Sequence, residues 1–120
     1  MASYTCQPLS KLYGFEKGSE IIAEEVGDYF DVQWKNTHLM FPRKLLYDIQ
    51  SNFFKTPDWY LLGASMTNPP VAGLGYYIQN HQHVWEMHSP RFASMLAPIM
   101  IHKKMIISRK RGRAFELKKI

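Results

Sequence analysis

Hydrophobic and polar residues alternate along the first third of the chain with the period expected of β-strands. In segment 29–34, Phe30, Val32 and Trp34 fall on one side, which is the pattern of a half-buried strand. Segments 20–26 and 38–41 flank it, separated by turns at 27–28 and 35–37. This order predicts an antiparallel β-meander, whereas residues 1–18 are expected to be irregular or weakly extended.

The apolar spacing changes from two to about 3.6 after Pro42, which occupies a favourable first helical position. The apolar residues at this helical spacing share one face: Leu45, Leu46, Ile49, Phe53 and Phe54. Thr56-Pro57-Asp58 repeats a helix-start signal, so residues 57–64 are predicted as a helix, with a buried strand as the alternative. Residues 71–80 are predicted as a helix weakened by two glycines, each costing about 1 kcal/mol relative to alanine.

A third helix is predicted from Ser89, as its cap, and Pro90, as its first residue. Its buried stripe has the spacing of one helical face: Phe92, Met95, Leu96, Ile99 and Met100. Pro98 is expected to kink this helix or divide it in two. Residues 81–88 form a connector, and residues 105–118 read as two strands around a turn at Lys110-Arg111-Gly112-Arg113.

Charge is distributed unevenly between the two ends of the chain. Residues 91–120 contain nine Lys or Arg and one acid, so their formal charge is +8, against −3 for residues 1–90 and +5 overall. A one-sided positive field of this kind attracts polyanions. The acids of the other end cluster on the meander: Glu20, Glu24, Glu25, Asp28 and Asp31.

The second half of the chain, from about residue 57 to residue 120, resembles a winged helix-turn-helix domain. The resemblance rests on the sequence Ser89-Pro-Arg-Phe-Ala-Ser-Met-Leu and on the basic hairpin that follows it. Segments 57–64, 71–80 and 89–104 would be the three helices and 105–118 the wing. The eight-residue connector and Pro98 depart from the family's pattern. The predicted fold is therefore α+β, with an acidic N-terminal meander and helix (1–55) and a basic, winged-helix-like half (56–120) in one domain.

The resemblance implies a nucleic-acid-binding surface on the third helix and the wing. Arg91 could pair with guanine, and the basic wing tip would contact phosphates or a minor groove. The predicted binding residues are the polar and basic side chains of these elements: Arg91, Ser94, Lys103, Lys104, Arg109, Lys110, Arg111 and Arg113.

The function predicted from these features is non-catalytic binding of nucleic acid, with double-stranded DNA favoured over RNA, as in a transcriptional or mobile-element accessory protein. The alternative is a protein–protein interaction module whose basic end docks an acidic partner. Opposed charges also allow a homodimer in which the meander meets a basic neighbour. The chain has no signal-peptide pattern and no long apolar run, so a cytoplasmic protein without a membrane segment is expected.

Other kinds of chemistry find little support in the sequence. Phosphate-loop, nucleophile-elbow and dinucleotide fingerprints are absent, so no enzyme activity and no cofactor is expected. Adjacent Glu24 and Glu25 would face opposite sides of a strand and could not share an acid–base site. His81, His83 and His88 could in principle hold zinc, but surface histidines are the preferred reading, so no metal is expected. Cys6, the only cysteine, excludes an intrachain disulfide.

Overall fold

The computed structural model describes residues 3–9, 20–65, 67–80, 89–112 and 114–120. In these ranges the chain forms seven strands and three α-helices, which are, in chain order, β1 Ser3–Cys6, β2 Ile21–Val26, β3 Tyr29–Trp34, β4 Thr37–Pro42, α1 Arg43–Asp48, β5 Tyr60–Leu61, α2 Leu74–Asn80, α3 Ala93–His102, β6 Ile106–Arg111 and β7 Ala114–Lys119. A π-helical turn, Ile49–Phe53, extends α1, and a 3-10 turn, Pro90–Phe92, precedes α3.

The N-terminal sheet is antiparallel with the order β1-β2-β3-β4, which confirms the predicted meander and the α+β class. Its inner face is apolar because alternate residues such as Ala23, Val32 and Phe41 are buried. Glu24 and Glu25 lie on opposite faces, as expected: Glu24 is opposite Asp31 on the outer face, and Glu25 is opposite Phe30 on the inner face.

Residues 3–6 form an edge strand that pairs with β2, whereas residues 1–18 were expected to be irregular or weakly extended. The sequence already has the polar–apolar alternation of a strand here: Tyr4 is half-buried and Cys6 is buried, and the exposed Thr5 lies between them. The Tyr4 ring also stacks on His102, with ring centroids 4.0 Å apart and the planes 6° from parallel. The edge strand is therefore attached to the end of α3 as well as to β2.

Helix α3 lies in the centre of the molecule and contacts β1 and β2 on one side and α2 and β6 on the other. Its body, residues 95–100, is buried on every side, and buried Ala93, Ala97 and Pro98 lie outside the predicted stripe, whereas Ser94 and Ile101 are half-buried and His102 is exposed. Of the two outcomes expected at Pro98, a kink or a division, the division does not occur, because one helix runs from Ala93 to His102. Ser89 is the N-cap residue and Pro90 begins the 3-10 turn that leads into α3, as predicted, but the Ser89 side chain makes no cap hydrogen bond.

Residues 57–64 do not form the helix that the resemblance implied; of the helix and the strand left open for this segment, a short strand is present at Tyr60–Leu61. The Thr56 hydroxyl donates to Asp58 (2.6 Å) and contacts the Tyr60 hydroxyl (2.9 Å) instead of capping a helix. Tyr60 and Leu61 pair with β7, so the second sheet has the order β5-β7-β6. Pairing with a distant strand has therefore overridden the local start signal.

The hairpin β6–β7 is confirmed, with β6 reaching Arg111 and Gly112 in the turn at φ +63°. Helix α2 is shorter than predicted because Gly73 closes a turn onto the Pro70 carbonyl (2.9 Å) before the helix begins. The connector 81–88, with the histidines considered for zinc, lies outside the described residues.

Gly75 is required by packing, because a Cβ atom there would lie 2.1 Å from the Gly63 carbonyl oxygen. We expect Gly75→Ala to destabilise the fold by about 1–3 kcal/mol, although alanine is the better helix former. Urea unfolding tests this, with Gln79→Ala on the same helix as the control, expected to change stability by less than about 0.5 kcal/mol. A Gly75→Ala variant more stable than the wild type would contradict the close approach of these two backbones.

Candidate nucleic-acid interface

The register of the three-stranded sheet determines which basic side chains share a face. Ile107 lies opposite Lys118, Arg109 opposite Glu116, and Arg111 opposite Ala114. Directly opposite residues point to the same side of a sheet. These side chains therefore face away from the side that carries buried Leu117.

Trp59 joins this face from the neighbouring strand, because it precedes Tyr60, which is opposite Leu117. The guanidinium carbon of Arg109 lies 4.1 Å from the centroid of the Trp59 ring, and the Lys118 Nζ lies 5.7 Å from it. We call the surface formed by Trp59, Ile107, Arg109, Arg111 and Lys118 the basic sheet face. It combines three cations with an indole.

One acid, Glu116, also lies on this side of the sheet. Arg109 Nε donates to Glu116 Oε1 at 2.7 Å, and the Glu116 side chain is only 14% exposed. This bond and the indole hold the Arg109 guanidinium in place from two sides, so its geometry is set before any ligand arrives. Its charge is partly compensated, which leaves Arg111 and Lys118 as the cations of this face that form no ion pair with an acid among the described residues.

One of the two remaining predicted hairpin residues, Lys110, is not on this face. Lys110 lies opposite Phe115, on the other side of the sheet from Arg109 and Arg111. Arg113 lies outside the described residues. The described residues therefore do not place all the cations of the wing tip on one surface, because successive side chains of a strand point to alternate faces.

Lys103 and Lys104 lie at the opposite end of α3 from Arg91 and Ser94, about 15 Å away for a helix of this length. Lys103 pairs with Glu25 at 3.4 Å, and Glu25 also binds Arg43. Lys103 thus joins the C-terminal end of α3 to β2. Lys104 is exposed at φ +60° in the turn leading to β6.

Arg91 and Ser94 lie at the start of α3. Arg91 is exposed, and Ser94 lines a cleft of about 420 Å³ together with Ala114 and Phe115 of the hairpin. Ser94 is therefore brought close to the start of β7, whereas Lys103 and Lys104 precede β6 at the other end of the hairpin. The rest of α3 is buried and presents no continuous face to a groove.

Three members of the basic sheet face were missed by sequence reasoning: Trp59, Ile107 and Lys118. Lys118 could have been found, because it alternates with Glu116 in a strand that was predicted. Trp59 could not, because a helical reading of 57–64 gives it no relation to Arg109. The geometry depends on the pairing of β5 with β7, which joins residues far apart in sequence.

Burial raises the pKa of the Cys6 thiol to about 11, so it remains protonated at neutral pH and is a poor nucleophile. Within the described ranges, no three His, Cys, Asp or Glu side chains are grouped as a metal site would require. No helix in the described part of the chain is long and apolar enough to cross a bilayer.

Comparison with known proteins identifies no relative: no protein-family model, no curated protein and no solved structure matches this chain.

The Glu25 carboxylate offers a test of the ion network at Lys103. Burial acts to raise its pKa, but the hydrogen bond from Arg43 and the charges of Lys103 and Arg43 outweigh it, so the pKa lies below its usual value. A depressed pKa stabilises the fold at pH values above the unfolded-state pKa, and this contribution disappears as the pH falls through the folded-state pKa.

We therefore expect Glu25→Gln to lower the free energy of unfolding at pH 7 by about 1–3 kcal/mol, and the difference from the wild type to vanish in acid. Urea unfolding between pH 7 and pH 3 measures it. Glu24→Gln, one residue away on the outer face, is the matched control. Equal effects of the two variants at pH 7 would argue against the network.

Proposed function

We propose that this protein binds nucleic acid without catalysis, and that the basic sheet face makes the principal contact. The observation that carries the proposal is the placement of Arg109, Arg111 and Lys118 on one side of one sheet, around an indole. Phosphates are bound mainly by such cations, and the interaction gains free energy from counterion release.

The roles of these cations differ according to their surroundings. Arg111 is exposed beside the turn and is suited to phosphate contact. Lys118 is half-buried against Trp59, so its ammonium group is held close to the sheet. A two-stranded β-ribbon fits the major groove of B-form DNA, so the β6–β7 hairpin has dimensions suited to duplex DNA.

Within the winged-helix interpretation, the order of elements requires a first helix other than segment 57–64. In this proposal α1 replaces segment 57–64, α2 and α3 follow, and β6–β7 is the wing with β5 added to its edge. Because the body of α3 is buried, its contribution to binding is restricted to the start, where Arg91 and Ser94 lie near the hairpin. The wing then supplies most of the contact.

A second candidate function is docking of an acidic protein on the same surface. The specific observation in its favour is Ile107, which is 45% exposed among the cations and would gain from contact with an apolar partner. The two candidates differ in the form of their salt dependence, because a nucleic acid releases condensed counterions in proportion to the phosphates neutralised.

The double variant Arg111→Glu/Lys118→Glu tests the proposal directly. We expect binding to fluorescent duplex DNA to weaken at least about tenfold, and the slope of log K against log salt to become shallower by roughly two. Lys35→Glu/Lys44→Glu, which makes the same charge change at exposed positions near the other sheet, is the control.

Parallel titrations with single-stranded DNA, RNA and an acidic polypeptide identify the preferred ligand. Equal binding by the two double variants, with both folded by circular dichroism, would reject the basic sheet face. Tighter binding of the acidic polypeptide than of any nucleic acid would select the second candidate.

Glu116→Gln should have the opposite effect. Its side-chain oxygen can still accept from Arg109, while the negative charge on this side of the sheet is removed, so affinity should rise several-fold and the salt slope should steepen by about one. Fluorescence anisotropy measures both quantities. Glu24→Gln makes the same change on the other sheet and should leave them unaltered; a Glu116→Gln variant that binds like Glu24→Gln would show that Glu116 does not face the ligand.

A further inference from the structure

An open cleft of about 430 Å³ lies between the π-helical turn Ile49–Phe53, β5 and α2. Its volume falls within the roughly 300–1,000 Å³ of small-molecule sites. Four aromatic side chains line it: Phe53, Tyr60, Tyr76 and Tyr77.

Three of the four rings are held by contacts with one another. Phe53 lies 5.0 Å from Tyr60 and 5.3 Å from Tyr77, measured between ring centroids. Two of the hydroxyls are occupied: Tyr77 donates to Asp48 at 2.9 Å, and Tyr60 bonds Thr56 at 2.9 Å. The cleft is therefore preformed.

Two carboxamides, one ammonium group and the apolar Val71 and Ala72 complete the lining. Asn52 uses its Nδ2 to bond Asp48 (2.7 Å), and Asn80 uses its Nδ2 to bond the Tyr76 carbonyl (2.8 Å). Each Asn thus keeps its carbonyl oxygen as an acceptor for a ligand. Lys55 supplies the positive charge.

Asp48 organises this site from behind. Its two carboxylate oxygens accept from Asn52 and from Tyr77, and it is not among the lining residues. The Asp48 carboxylate therefore interacts with two residues that line the cleft and not with its interior. The surface of the cleft itself carries aromatic rings, amide oxygens and one cation. Planar rings with amino groups at the edge match this set, because they can stack on the aromatics and donate to the amide oxygens.

The cleft and the basic sheet face meet at β5. Tyr60 lines the cleft, and the preceding residue, Trp59, lies under Arg109 and Lys118 on the other side of the sheet. A chain of phosphates bound by those cations would therefore have a neighbouring nucleotide within reach of the cleft.

From this arrangement we infer that the cleft receives one unpaired nucleobase carrying an exocyclic amino group, from a single strand whose phosphates contact the basic sheet face. This inference rests on the proposed function and differs from it in one respect: the nucleic acid at this site is single-stranded, whereas the width of the β6–β7 hairpin also suits a duplex. Stacking on Tyr76 and its neighbours holds the base, Asn52 and Asn80 accept from its amino edge, and Lys55 contacts an adjoining phosphate.

The test uses the full chain and a short single-stranded DNA with 2-aminopurine at one position. We expect quenching of the 2-aminopurine fluorescence on binding to the wild type, because the base becomes stacked. Tyr76→Ala should abolish the quenching and weaken binding about 5- to 50-fold, with the salt slope retained. Tyr29→Ala, which removes an exposed tyrosine from the meander, is the matched control and should behave like the wild type.

The outcomes separate this inference from the proposed function. Salt-dependent binding that is equal for Tyr76→Ala and Tyr29→Ala, without quenching, would overturn the base site and leave the basic sheet face standing. Failure to retain any nucleic acid would overturn both. A proline-rich peptide that shifts the NMR signals of Tyr76 and Tyr77, while the oligonucleotide leaves them unchanged, would assign the cleft to a protein ligand and also overturn the inference.

Discussion

The burial of the body of α3, residues 95–100, is the constraint on which the rest of the structure depends. The helix separates the meander from the three-stranded sheet, and both sheets complete their cores against it. A helix that is apolar all round is stable only when it is enclosed. Because its body is used in this way, polar interaction with a ligand is left to the sheet, the loops and the helix ends.

The charged groups follow the same division of roles. Lys103 and Arg43 are held by Glu25, and Lys103 lies 5.5 Å from the centroid of the Phe30 ring, so these cations connect elements of the fold. Arg111 and Lys118 lie at the far side of the second sheet, where the acid on their face is bound to Arg109. The charge excess of the C-terminal segment is thus divided between internal support and an external surface, and a count along the chain does not distinguish the two.

Local patterns were sufficient to predict the elements whose pairing partners are near in sequence. The meander and the hairpin follow from period-two alternation and from short turns, two of which contain glycine, at Gly27 and Gly112. The failures occurred where distant contacts decide. Residues 57–64 carry a helix-start signal, but β7 recruits Tyr60 and Leu61 into a sheet.

The same limit applies to the candidate site. Arg109 and Arg111 were identifiable from charge and could be assigned to one face once β6 was recognised as a strand. The aromatic cleft was not predictable, because it combines the π-helical turn, β5 and α2, which are separated by many residues. Gly75 was likewise interpreted as weakening a helix, whereas the absence of a side chain at this position leaves space for the Gly63 carbonyl group.

The two-residue strand β5 has a thermodynamic consequence. Trp59 and Tyr60 are consecutive, yet they serve opposite sides of the same edge, so displacing this short segment alters both environments at once. A ligand that binds on one side of the sheet and immobilises β5 would lower the entropic cost of binding a second ligand on the other side. Linkage requires this gain in binding free energy to be equal in both directions. A strand of minimal length would in this way make two separate surfaces cooperative.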